Sequence, residues 1–267
     1  MKKLLLSLVA LMAISMTANA QYAKLYKGET LVNQYSKDVV DKVEFSQTSA
    51  NILNGHEYVE IGGKKWATMN LGATTVASSY STCYGNYYAW GSTDPYLSKY
   101  TLSYASTMSS TQWKGNGGYT QANAPYYDGS SYTKYTSSSD ATLESIDDAA
   151  TAAWGGTWRM PTKDDFVALR NACTGGSGED GSTPTTLSAA VSTGGVYWLS
   201  ADQTYESAYT GVAGLLFVDN SDTSKRVFFP AAGLVDGTSF DTGGSRGYYW
   251  SSSLYTSIPY YAYFLAF

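Results

Sequence analysis

Apolar residues form a long, nearly continuous run only near the start of the chain, where Leu4 to Met16 follow Lys2 and Lys3 and end in Ala18-Asn19-Ala20. A basic start, a short apolar stretch and small residues at its end predict a secretory signal peptide over 1–20, cut before Gln21. The run falls short of the roughly 20 residues a membrane-spanning helix needs. Short alternating runs then predict a small N-terminal β module over 21–48: Ala23–Tyr26, a turn at Lys27-Gly28-Glu29, Thr30–Val32, then Val39-Val40 and Val43–Phe45. A polar stretch from Ser46 to Asn51 follows, and 49–53 is read as a linker.

The body spans 54–267. Its apolar runs are short and separated by Gly, Ser, Asn and Asp clusters, with two segments patterned as helices. One covers Ser139 to Trp154. The other starts at Thr162, where a Thr-x-x-Asp capping arrangement with Asp165 precedes Phe166, Leu169 and Cys173 on one face, and stops at Gly175-Gly176. Strands are predicted at Val196–Ser200, Val212–Val218, Arg226–Pro230, Gly247–Ser251 and Tyr260–Phe267, the second and third joined as a hairpin through the polar loop 219–224. Few helices among many short strands predict an α+β fold. Tyr96 to Ser138, rich in Tyr, Ser, Thr and Gly, is read as a long ordered loop because it carries Trp113 and many Tyr.

Composition narrows the function. Loss of Lys2 and Lys3 with the leader leaves 15 Lys and Arg against 22 Asp and Glu, a net charge of about −7, with no basic patch to suggest a nucleic-acid partner. Charged residues are only 15% of the chain, so its polarity comes from hydroxyls. The two cysteines, Cys83 and Cys173, are read either as a disulfide of an exported chain or as two buried thiols.

The runs Asn54-Gly55-His56-Glu57-Tyr58 and Lys65-Trp66-Ala67-Thr68-Met69-Asn70-Leu71-Gly72, then Tyr84-Gly85-Asn86-Tyr87-Tyr88-Ala89-Trp90-Gly91, Trp154-Gly155-Gly156-Thr157-Trp158-Arg159-Met160-Pro161-Thr162, Phe229-Pro230-Ala231-Ala232-Gly233 and Gly247-Tyr248-Tyr249-Trp250-Ser251 occur in order across most of 54–267. Together they resemble the Fibrobacter succinogenes major paralogous domain, found in exported proteins of Bacteroidetes. The resemblance implies a C-type-lectin-like or sulfatase-modifying-factor-like domain, with a twisted antiparallel sheet, two helices and long loops. Many members carry a Cys where this chain has Met69, matched to the position of Cys173, so the resemblance implies that a bridge here would have to use Cys83 instead.

Catalysis is not expected. The reactive cysteine pair of the formylglycine-generating enzymes has no counterpart, because no Cys follows Cys173, and His56 is the only histidine. His and Cys are too few for a zinc site, Asp219, Asn220 and Asp222 read as a solvated turn, and no cofactor or metal is expected. Trp66, Trp90, Trp154, Trp158 and Trp250 are assigned to the core, with Arg159 as a paired charge. What stands out is the Tyr- and Ser-rich C-terminal stretch, the residue pairing that dominates antibody binding loops. Tyr248, Tyr249, Ser251, Ser253, Tyr255, Ser257, Tyr260 and Tyr261 are therefore the candidate ligand contacts. The chain reads as an exported, non-catalytic binding protein at the cell surface, secreted or in the periplasm, with an extracellular glycan or protein as partner and no membrane span once the leader is gone. A structural or adhesin subunit, or a receptor of C-type-lectin fold diversified by a retroelement, are the alternatives.

Overall fold

A computed structural model describes residues 12–14, 22–27, 30–36, 51–95, 122, 124–175, 185–236, 239–258 and 261–267. The expected strands at Val39-Val40 and Val43–Phe45 lie outside them, as do Trp113 and most of the loop from Tyr96 to Ser138. The chain divides into two compact units, 1–49 and 50–267. In the first, β1 (Met12–Ile14), β2 (Tyr22–Lys27) and β3 (Thr30–Ser36) form an antiparallel sheet with β2 central. The β2–β3 hairpin turns where Lys27 faces Thr30, as the sequence pattern predicts, whereas β1 lies within the stretch read as a leader.

The second unit is α+β. A three-stranded meander of β4 (Asn51–Leu53), β5 (His56–Ile61) and β6 (Lys64–Ala67) opens it, so the end of the expected linker is a strand. Asn54 and Gly55 both take positive φ in the β4–β5 turn, a conformation Asn and Gly adopt at least cost. Three helices occur among the described residues: α1 (Tyr80–Cys83), α2 (Ala149–Trp154) and α3 (Lys163–Thr174). The main sheet has the order β10-β9-β8-β7, from β7 (Thr185–Thr186), β8 (Gly195–Leu199), β9 (Gly214–Val218) and β10 (Arg226–Pro230). It is antiparallel except for β7, which pairs parallel with β8. The β9–β10 hairpin sets Val218 against Arg226 around the polar loop. Two short ribbons complete the unit, β11 (Leu234–Asp236) with β12 (Ser239–Asp241) and β13 (Tyr248–Leu254) with β14 (Ala262–Ala266).

Alternation along β9 divides the core. Leu216 and Val218 point into a cluster with Cys83, Tyr84, Leu199, Val212 and Phe228, whereas Leu215 and Phe217 join Trp66, Phe166, Leu169, Cys173 and Phe229 under α3. All five residues of β9 are buried, so this central strand is covered on both faces. Cys83 and Cys173 thus lie on opposite sides of the sheet as free, buried thiols. That corrects the bridged reading: a disulfide needs its Cα atoms within about 7 Å, and a strand intervenes.

The α3 prediction holds in detail. Thr162 and Asp165 form a reciprocal capping box, and Gly175 closes the helix in the left-handed conformation. Asp165 also takes ion pairs from Arg159 at 2.7 Å and Lys64 at 3.2 Å. Burial alone would raise its pKa, but the hydrogen bonds from Arg159 and Thr162 hold it well below the ordinary carboxylate range.

The other expected helix, Ser139–Trp154, is cut to its last six residues. Upstream, Leu143 N–H donates to Ser252 O and Leu254 N–H to Ala141 O, so 141–143 runs extended beside β13. Asp148 caps α2 by accepting from Ala150 and Thr151 N–H. Asp147, buried, accepts from the Tyr126 and Tyr135 hydroxyls and from Lys134 at 2.6 Å, fastening the end of the Tyr-rich segment to the core. The acidic start that suggested a helix is consumed by these tertiary bonds.

Candidate functional site

The C-terminal ribbon is built on Gly247, where a side chain would strike the Phe267 ring at 2.2 Å. Gly247 and Phe267 exchange both backbone hydrogen bonds, which fixes the register: Tyr248 faces Ala266, Tyr249 faces Leu265 and Trp250 faces Phe264. Because side chains alternate across a strand, Tyr249, Leu265 and Phe267 turn into the core below α3, while Tyr248, Trp250, Phe264 and Ala266 turn outward.

The outward residues form an aromatic face. Trp250 is 39% exposed and Phe264 50% exposed, with ring centroids 5.8 Å apart at 89°. Tyr248 lies on the other side of Phe264 at 6.0 Å, and Arg246 approaches its hydroxyl at 3.5 Å. Trp250 Nε1–H donates to Tyr88 O at 3.1 Å. With its single donor satisfied, the indole is fixed in orientation and presents an apolar surface, so a ligand pays no desolvation cost for the N–H.

The predicted contacts divide sharply. Tyr248 stands on the aromatic face, and Tyr261 and Ser257 are exposed at the β13–β14 turn. Tyr249 is corrected to a core residue: its hydroxyl donates to Pro230 O at 2.6 Å and accepts from Asn70 Nδ2 at 3.2 Å, while its ring packs edge-on against Phe229 at 5.1 Å. Burial, its main cause, drives the Tyr249 pKa far up, so the phenol stays neutral. Ser251 is also internal, wholly buried, with its carbonyl accepting from Trp90 Nε1 and its hydroxyl from Ser253 N–H. Ser253 Oγ accepts from Lys163 N–H at the start of α3. Tyr255 packs on Tyr263, whose ring is covered by Lys163 Nζ at 4.8 Å. Tyr260 lies outside the described residues.

Phe264 was not among the predicted contacts, and Trp250, assigned to the core, belongs on the surface. The available signal was strand parity: once Tyr249 is placed inward, its neighbours Tyr248 and Trp250 must point out. The other tryptophans follow the sequence reading more closely. Trp66 and Trp158 are buried, Trp90 and Trp154 are half-buried, and His56 stacks on Trp154 at 4.2 Å.

Two other places were candidates for chemistry. A cleft of about 130 Å³ is lined by Glu57, Thr68, Tyr209 and Arg226 among others. There the guanidinium of Arg226 is already held by Glu206 at 2.7 Å, Thr223 O at 2.6 Å and Val191 O at 3.3 Å. In the 219–224 loop, Asp219 accepts from Ser221 N–H, Ser221 Oγ and Asp222 N–H, and Asp222 from Ser224, so their oxygens close the turn. Among the described residues no group of three or more His, Cys, Asp or Glu side chains is placed to hold a metal ion, and no helix is long and apolar enough to cross a membrane. Compared with family models, curated proteins and solved structures, the chain matches none.

Proposed function

We propose that the protein is an exported, non-catalytic binding protein that recognises an extracellular carbohydrate or protein through the outward face of its C-terminal ribbon, on a domain of C-type-lectin-like fold related to the Fibrobacter succinogenes major paralogous family. The observation that carries the reading is the group of Tyr248, Trp250 and Phe264, three rings side by side on an open two-stranded surface. Large exposed aromatics rimmed by polar residues mark interaction surfaces, and Trp and Tyr are the residue types that dominate binding energy. A pyranose offers such a surface an apolar C–H face and a rim of hydroxyls. The rings would take the first, while Arg246 and the Tyr248 hydroxyl stand beside them for the second.

The test is a glycan and protein array probed with the wild type, then titration of each hit against Trp250→Ala and Tyr248→Ala. Each truncation is expected to cost about 1–2 kcal/mol of binding, roughly 5- to 30-fold in Kd. Both side chains are at least partly exposed, so melting temperatures should stay close to wild type. Equal binding by wild type and both variants would move the ligand site elsewhere, and a folded wild type that binds nothing would remove the recognition role.

A further inference from the structure

Among the described residues, the face just described ends at a strand edge without a backbone partner. In the Gly247–Phe267 register, Phe267 and Leu265 aim their backbone groups at β13, so the N–H and C=O of Phe264 and Ala266 point away from it. β14 has β13 as its one ladder partner, and no other backbone hydrogen bond to Phe264 or Ala266 occurs among the described residues. Edges of this kind are normally protected by Lys, Pro, an inward charge or a covering loop. The strand Ala262-Tyr263-Phe264-Leu265-Ala266 has no charge and no proline, and both residues that face the edge are exposed.

We propose that β14 is a dimerisation edge, pairing antiparallel with β14 of a second copy of this chain. The strand fits its own copy. With the two-fold axis at Leu265, the large Phe264 of one protomer faces the small Ala266 of the other, and the reverse holds across the axis. The four outward backbone groups of each edge then satisfy one another, as an isologous contact requires. An uncharged strand brings no like charges together on the axis, which a strand bearing Lys or Glu would do. The product is a four-stranded sheet, a more stable unit than two separate ribbons. Its outer face carries Tyr248, Trp250 and Phe264 from both copies, so the pairing extends the aromatic surface and leaves it open to a ligand.

The contact is small, and a dissociation constant on the order of 1–100 μM is expected. Sedimentation of the purified protein from about 1 to 500 μM should show a monomer passing to a dimer, and amide exchange at Phe264 and Ala266 should slow as the dimer forms. Ala266→Pro removes the outward N–H without touching the β13 ladder and should weaken the dimer at least tenfold. Phe264→Lys sets two like charges diagonally across the axis from exposed positions and should do the same even where the proline variant folds poorly. Ala266→Pro keeps all three rings, so the monomer should still bind a monovalent ligand; loss of dimer with ligand binding intact separates this proposal from the recognition reading. A protein that is monomeric over the whole range overturns the proposal, as does a dimer indifferent to both substitutions or one whose Phe264 and Ala266 amides exchange at the monomer's rate.

Discussion

Replacing Tyr249 by Phe should lower stability and leave ligand binding alone, the opposite of what its sequence neighbourhood suggests. The lost hydroxyl makes two hydrogen bonds, one to Pro230 O and one from Asn70 Nδ2. Neither partner is left bare: Pro230 O still accepts from Ala232 N–H at 2.7 Å, and Asn70 still donates to Tyr84 O at 3.0 Å. The cost is therefore that of two ordinary neutral bonds, about 2 kcal/mol in all, without a further penalty for stranded groups. For a cooperative unit spanning 50–267, that corresponds to a fall in melting temperature of about 4–8 °C. Tyr249→Ala also empties the space against Phe229 and Phe267 and should cost about 3–5 kcal/mol. Calorimetry supplies the melting temperatures and titration against an array hit supplies the affinity. A Tyr249→Phe variant that melts with the wild type but loses its ligand would show that the ring faces outward, which a one-residue slip of β13 would produce, and the assignment of the whole face would fall with it.

Asp147→Asn should destabilise by about 2–3 kcal/mol in chemical denaturation, because a carboxylate that accepts from Tyr126, Tyr135 and Lys134 loses its charge beside a cation; an unchanged midpoint would show that the Tyr-rich segment is anchored elsewhere. Asp147 and Asp165 are both desolvated, yet their hydrogen bonds, from Lys134, Tyr126 and Tyr135 to the one and from Arg159 and Thr162 to the other, leave both pKa values lowered. The unfolded chain then binds more protons than the native one, so the stability they supply is complete above the unfolded carboxylate value of about 3.9 and drains away as pH falls below it. Melting curves from pH 7 to pH 2 should show this acid limb, and Asp165→Asn should flatten it. Cys83 and Cys173, each pushed up to about 12 chiefly by burial, should resist thiol reagents in the native protein and react fully in guanidinium. Reductant should not move the melting temperature, and a drop of several degrees would reveal a bridge.

Local patterns carried much of this fold. The capping box at Thr162 and Asp165, the glycine stop at Gly175 and the β9–β10 hairpin are signals confined to a few neighbouring residues, and each stands where the sequence placed it. The failures share a different cause. Ser139–Trp154 has helical composition, but Asp147 is claimed by tyrosines 12 and 21 residues away and Leu143 by Ser252, bonds that no local window contains. Of the two cysteine readings, the buried thiols hold because Leu216 and Leu215 send adjacent side chains to different cores, which becomes visible only once β9 is set between β8 and β10 with a core on each face.

Of the eight candidate contacts in the C-terminal stretch, Tyr249 and Ser251 turn into the core, whereas Tyr248, Ser257 and Tyr261 stay accessible. Composition marks Tyr248 to Tyr263 as unusual but says nothing about which side chains face out, because parity depends on one anchored residue. The irregular register between Trp250 and Leu254 further prevents counting across the strand. The same geometry limits how freely this segment could vary. The Tyr249 hydroxyl donates to Pro230 O, the Ser253 hydroxyl accepts from Lys163 N–H, and Ser251 and Ser252 are buried, so substitutions there act on the fold. Only the outward positions and the turn can change without disturbing the core. If recognition resides in this ribbon, specificity must be set by Tyr248, Trp250, Phe264 and the residues of the β13–β14 turn, and the serines that made the stretch look adaptable are what hold it rigid.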